Sequence, residues 1–246
     1  MGFLYRGELI FNPHPQIQVL ALANGRSCYI VDDVLNDPDH WLRLAIYYRG
    51  DFTLAGDGKF NGYPGMELRT SPEQNAALTD FFLQHIRRHL NARRVIDSVS
   101  RFSLVTLKPG QLRPAHMLCH RDLGGTSRTI KAACVLYLFK ENEFGGTSFY
   151  MPKKADTQTE KIVQDSLFMS AEDFVGKYGV ERNYMRGSND YFELIGDVKA
   201  KWNRVVFYDG GIYHSGDIPE VDKLSTDPQV GRLTINGFFS CTTKAG

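Results

Sequence analysis

The chain has 246 residues, with 29 Lys and Arg against 28 Asp and Glu, for a formal net charge of +1. That balance lacks the basic excess of a nucleic-acid footprint, and the length allows one large domain whose core needs no disulfides. No apolar run approaches the roughly 20 residues of a membrane span, and Arg6 and Glu8 interrupt the first apolar stretch, where a secretory leader would be uncharged; a cytoplasmic protein with no membrane or nucleic-acid partner is therefore expected.

Residues 1–35 read as extended segments. Gln16–Leu22 alternates at first, Ser27–Val31 is a short apolar run, and Asn24-Gly25 between them signals a hairpin. A helix is predicted from Asp37, with Pro38 at its first position, to about Tyr48. The glycine-rich stretch 50–70, with Tyr63-Pro64-Gly65, reads as an ordered loop. The strongest helix signal covers 72–90. Ser71 and Gln74 make a capping box around Pro72, and Leu78, Phe82, Ile86 (or His85) and His89/Leu90 form one apolar face. Arg87-Arg88 and Arg93-Arg94 fall on its last turn and beyond, where cations suit the helix dipole, and they read as a solvated helix end.

From about residue 98 the pattern changes. Val99–Leu107, Ile130–Phe139, Thr147–Met151, Arg204–Tyr208 and Gly231–Phe239 read as strands, punctuated by glycine pairs at 124–125, 145–146 and 210–211. Short strands with glycine turns suggest a sandwich or barrel. Residues 153–200 interrupt them as a polar insertion, with one helical stretch at Ala171–Lys177 capped by Ser170 and ended by Gly179. The four cysteines, Cys28, Cys119, Cys134 and Cys241, form no CxxC pair, so no structural zinc is expected; Cys119 and Cys134 read as buried thiols.

His120-Arg121-Asp122 is the chemically informative triplet. On a strand, residues two apart share a face at roughly 7 Å between Cα atoms, so an imidazole and a carboxylate at that spacing can converge on one ion. His214, 92 residues beyond Asp122 and preceded by a strong strand and a Gly-Gly turn, could supply a second imidazole. Two His and one carboxylate on one side of a metal are the signature of non-haem Fe(II) oxygenases. The triplet alone is better met by a buried His hydrogen-bonded to an Asp, with His214 unrelated. In Gly231–Phe239, alternation puts Arg232, Thr234 and Asn236 on one face and Leu233 and Ile235 on the other. An inward arginine needs an anion, either a bound carboxylate or a structural Asp or Glu. Other readings fail. His120-Arg-Asp-Leu123 lacks the Asn, Asp-Phe-Gly and Gly-rich loop of a kinase. His116 and His120 make HxxxH rather than a helical HExxH, with Pro114 nearby. Trp202, Tyr63, Tyr213 and Phe149 are pocket-lining candidates, each of which fits ordinary core better.

The stretch from about Phe102 to Phe239 resembles the 2-oxoglutarate/Fe(II)-dependent dioxygenase superfamily, particularly its prolyl-4-hydroxylase-like members. The resemblance is carried in order by Leu104–Gly110, His120-Arg-Asp122, Ala133–Leu138, Gly145–Phe149, Val205–Asp209 leading to His214, and Gly231–Thr234. It implies an α+β protein with a double-stranded β-helix (jelly-roll) core over 98–240, an insertion at 153–200 and a supporting helical and extended region over 1–97. It implies Fe(II) held by His120, Asp122 and His214. Arg232 would bind the distal carboxylate of 2-oxoglutarate, Thr234 would assist, Tyr137 is a weaker candidate for that pocket, and O2 would be the further cosubstrate. Prolyl hydroxylases usually carry Lys where Arg232 stands, so a collagen-type substrate does not follow. The 18-residue step from His214 to Arg232 is long for the family and implies an inserted loop at 216–230, and the segment between Gly110 and His120 is long as well. Halogenases of the superfamily replace the carboxylate with a small residue, so Asp122 points to hydroxylation. The expected function is an oxygenase that hydroxylates a C–H bond of an amino-acid-like, peptide or small-metabolite substrate. A non-catalytic jelly-roll binding module and a cupin-type metalloenzyme without 2-oxoglutarate are the rival readings.

Overall fold

The computed structural model describes residues 10–58, 63–122, 125–126, 128–140 and 144–243. The N-terminal stretch through residue 9, residues 59–62 of the glycine-rich segment, and Gly124 lie outside these. The hairpin forms as expected: β1 (Ile17–Ala21) pairs with β2 (Ser27–Val31) around Gly25 at φ +75°. Helix α1 (Pro38–Tyr47) starts at Asp37, whose side chain accepts from His40 N. The segment read as a loop contains two strands, β3 (Thr53–Leu54) and β4 (Gly65–Arg69). Glycine hid β4, yet Gly65 is required there, because a Cβ would overlap the Leu104 carbonyl of the neighbouring strand.

Helix α2 (Pro72–Phe81) carries the predicted capping box, with Gln74 N donating to Ser71 Oγ and Ser71 N to Gln74 Oε1. It does not run on as α-helix to residue 90. Phe82–Ile86 form a π turn, closed by Arg87 N donating to Phe82 O at 2.9 Å. Arg93 and Arg94 lie in the long strand β5 (Ala92–Val105), not on a helix end. The remaining strands are β6 (Thr129–Tyr137), β7 (Thr147–Pro152), β8 (Phe192–Val198), β9 (Val205–Asp209), β10 (Tyr213–Gly216) and β11 (Arg232–Thr243). The insertion holds more than the one expected helix. Besides α4 (Ala171–Tyr178), capped by Ser170 and ended by Gly179 at φ +62°, it contains α3 (Asp156–Phe168) and β8.

The strands form an eight-stranded sheet, in order β1-β2-β9-β6-β11-β5-β4-β3, and a three-stranded sheet, β10-β7-β8. Every strand pair among the described residues is antiparallel. Alternation assigns the two faces of the large sheet. Leu104, Cys134, Phe207, Leu233 and Ile235 point to one face and pack with Trp41, Leu78, Phe81 and Phe82 of the helices. Val105, Ala133, Val206 and Tyr208 point to the other and pack with Phe149 and Val198 of the small sheet. The chain is thus α+β, with a helical layer, a large sheet and a small sheet. No helix of the described residues is long and apolar enough to cross a membrane.

Candidate metal centre

The small-sheet side of the molecule builds the site through its backbone. His120 N donates to His214 O and His214 N to His120 O, each at 2.9 Å, and Asp122 N donates to Gly210 O at 2.8 Å. Residues 120–122 therefore run antiparallel to 210–214, the second of which enters β10, where His214 faces Phe149 of β7. This pairing brings the three side chains of the predicted set together, with one candidate ligand atom from each within 4.8 Å of the others. His214 Nε2 lies 3.9 Å from Asp122 Oδ2, and the two imidazole centroids are 4.4 Å apart.

The electrostatics favour a cation between them. His214 Nδ1 is 2.8 Å from the Ile212 carbonyl. That carbonyl can only accept, so the proton sits on Nδ1 and the Nε2 lone pair faces Asp122. Burial pushes the His214 pKa down to about 4, so the ring is neutral at pH 7 and able to ligate. His120 shifts in the same direction, first through desolvation of its ring and then through His214 facing it. Burial pushes the Asp122 carboxyl up. Its Oδ2 is buried and accepts no hydrogen bond, which is costly for a carboxylate unless a cation completes it. The donor set, the tautomer and the orphaned oxygen fit a divalent metal.

Arg232 is 3% exposed. Its Nε donates to Phe144 O at 2.9 Å and its Nη2 to Gly146 O at 2.8 Å, while Phe139 presents its ring 5.6 Å away. Among the described residues no carboxylate pairs with it. Thr234, directly along β11, is fully buried and donates to Asn236 Oδ1 at 3.2 Å. The Tyr137 hydroxyl is engaged with Thr147 Oγ1 at 2.7 Å across the two sheets. The Tyr63 hydroxyl is buried beside Arg232 and Thr234, and no hydrogen bond of good geometry satisfies it.

The triad and Arg232 line one cavity of about 540 Å³. Of the four aromatic candidates, Tyr63 and Tyr213 line it; Phe149 is core against Tyr208, and Trp202 packs on the helical side beneath Lys140. His116 also lines the cavity. Sequence reasoning missed Glu67, Arg101, Tyr184 and Tyr208 in its wall. Arg101 was detectable, since Arg101, Ser103 and Val105 alternate on a predicted strand just as Arg232 and Thr234 do. Glu67 was hidden with β4.

A family model described as "Family of unknown function (DUF6445)" matches residues 13–239. No curated protein matches the sequence. Among solved structures, a Pseudomonas putida prolyl-4-hydroxylase is 13% identical, with 90% of this chain and 94% of that chain covered and a TM-score of 0.43. The non-heme alpha-ketoglutarate-dependent carbocyclase SnoK from nogalamycin biosynthesis is 15% identical, with 88% and 80% covered and a TM-score of 0.48. HygX from Streptomyces hygroscopicus, with nickel and 2-oxoglutarate bound, is 12% identical, with 88% and 83% covered and a TM-score of 0.46.

Proposed function

The chain belongs to the family of unknown function DUF6445, and from that premise we propose that it is an Fe(II)- and 2-oxoglutarate-dependent oxygenase that hydroxylates a C–H bond of a small-molecule or peptide substrate. One observation carries the reading. A single cavity holds a His–Asp–His set with an orphaned carboxylate oxygen and, apart from it, a buried arginine with no carboxylate partner among the described residues. In this reading residues 98–240 are a double-stranded β-helix core, 1–97 support it, and the insertion 153–200 contributes to the cavity wall.

His120, Asp122 and His214 would hold the iron, and all three line the cavity. With iron and 2-oxoglutarate bound there, the centre would supply oxidation of the substrate by O2, coupled to conversion of 2-oxoglutarate to succinate and CO2. The rest is the work of this chain. The Ile212 carbonyl fixes the His214 tautomer, so no proton must leave before ligation. The carbonyls of Phe144 and Gly146 hold the guanidinium from behind through Nε and Nη2, leaving Nη1 for the distal carboxylate of 2-oxoglutarate. The Tyr63 hydroxyl would donate to the same carboxylate, and Thr234 would act at one remove. Apolar walls, including Leu118 and Val163, exclude water around the reacting centre.

The test is anaerobic titration with Fe(II) and 2-oxoglutarate, reading the visible metal-to-ligand charge-transfer band. The band is expected in the native chain and weakened in Arg232→Ala. Iron bound without a band would overturn the 2-oxoglutarate assignment in favour of a cupin-type metalloenzyme, and failure to bind iron would favour a binding module.

A further inference from the structure

The cavity contains a second charged cluster that the metal and Arg232 do not use. On the inward face of the large sheet, Arg101 of β5 stands opposite Asn236 of β11, and Glu67 of β4 stands opposite Ser103 of β5. Glu67, Arg101 and Asn236 all line the cavity. Arg101 Nη1 donates to Glu67 Oε2 at 3.0 Å, and Ser103 Oγ approaches Glu67 Oε1 at 3.5 Å. We propose that Glu67, Arg101 and Asn236 form a head-group site for a free α-amino acid, Arg101 and Asn236 taking its carboxylate and Glu67 its ammonium. The proposal deepens the oxygenase reading and rests on it for calling this occupant the substrate.

The pair is poorly explained as a stabilising element. With side chains 32% and 15% exposed it is a partly solvated ion pair, and such pairs contribute little to stability. Nor is this pair saturated. Arg101 spends one of its five donors, and among the described residues no other acceptor meets it. Glu67 has only a long contact on its second oxygen. Burial pushes the Glu67 carboxyl up against the pull of Arg101, so the anion is undercompensated and would gain from a second cation. Asn236 accepts from Thr234 through Oδ1, and no acceptor among the described residues takes its amide hydrogens. One cation with donors to spare, one undercompensated anion and one amide with unspent hydrogens on three adjacent strands match a zwitterion carrying both charges on one carbon. The interior of a peptide offers neither charge.

The discriminating experiment is calorimetric titration of the metal-free full chain with the common α-amino acids, then with the methyl ester and the N-acetyl derivative of the best binder. Removing the metal prevents chelation by the amino acid from mimicking a site. At least one free amino acid should bind, both derivatives should fail, and Arg101→Met and Glu67→Gln should each weaken binding by about tenfold or more, as expected for loss of a charged hydrogen bond. Binding of none, or binding that survives both derivatisations, overturns the proposal without relying on any variant. Parallel titration with 2-oxoglutarate separates the two readings. If 2-oxoglutarate binds and depends on Arg232 while no amino acid binds, this proposal alone falls. If 2-oxoglutarate depends on Arg101 instead, the two arginines exchange roles and the head-group site is overturned.

Discussion

Asp122 is held in place by the smallest possible neighbour. A Cβ at Gly210 would sit 2.5 Å from Asp122 Oδ2 and 2.9 Å from Lys131 O, and Gly210 O is itself the acceptor for Asp122 N. Gly210→Ala should therefore push the carboxylate off the shared ligand position while the core survives, lowering Ni(II) affinity by at least roughly tenfold; an unchanged affinity by calorimetry would show the carboxylate to be free of that constraint. His214 makes a second claim. Its pKa falls from 6.5 to about 4 on folding, so in the metal-free chain the unfolded state binds the proton first. Its contribution is intact above pH 6.5, is lost as pH falls toward 4, and amounts to roughly 3 kcal/mol by linkage. Asp122 acts in the opposite sense, because its folded form takes up a proton first. Urea denaturation of the metal-free chain near pH 5 should show His214→Gln taking up about one proton fewer on unfolding than the native chain. Equal pH slopes would contradict a buried neutral imidazole.

At the scale of elements, what was legible followed chemistry that acts locally. Ser71, Gln74, Asp37, Ser170 and Gly179 mark helix ends through their own hydrogen bonds or backbone angles, and all stand where such residues should. The π turn was not legible, because tertiary packing selects it: it keeps Phe82 and Ile86 both fully buried, with Phe82 stacked on Phe239 at 4.2 Å. Strands β4 and β8 were hidden for a related reason. Gly65 and Gly196 weaken the strand pattern, and their purpose is visible only in the partner they approach. Helices α3 and α4 contribute Ile162 and Phe174 to a cluster that also holds Leu118, Cys119 and Tyr213, the chain neighbours of His120 and His214. Phe174→Ala should thus destabilise by roughly 3 to 5 kcal/mol and also weaken metal binding, because the cavity left behind loosens both histidine-bearing segments. Thermal unfolding with and without Ni(II) measures both; loss of stability with an undiminished metal-induced rise would make the insertion independent of the centre.

At the scale of the molecule, the large sheet separates two tasks. Its helical face carries the aliphatic and aromatic core, and its inward face carries Arg232, Thr234, Asn236 and Arg101. The same strands serve both, residue by residue, which is why alternation in 231–239 exposed part of the candidate site in the sequence. Alternation could not reveal that the inward face is closed by a small sheet, or that β4 adds Glu67 to it, since both depend on pairings between distant segments. The division predicts that stability and binding can be damaged independently. Phe239, 1% exposed and stacked on Phe82, lies wholly on the helical side. Phe239→Ala should lose roughly 3 to 5 kcal/mol of stability and leave metal affinity in the surviving folded fraction near native. Asp122→Asn removes an anion whose Oδ2 has no partner in the metal-free chain; it should leave the metal-free melting temperature equal or higher, and abolish the rise that Ni(II) produces through linkage. The four melting temperatures, each variant with and without metal, decide the matter. If Phe239→Ala also flattened the metal response, the sheet would be transmitting packing changes from one face to the other, and the two layers would have to be treated as one coupled unit.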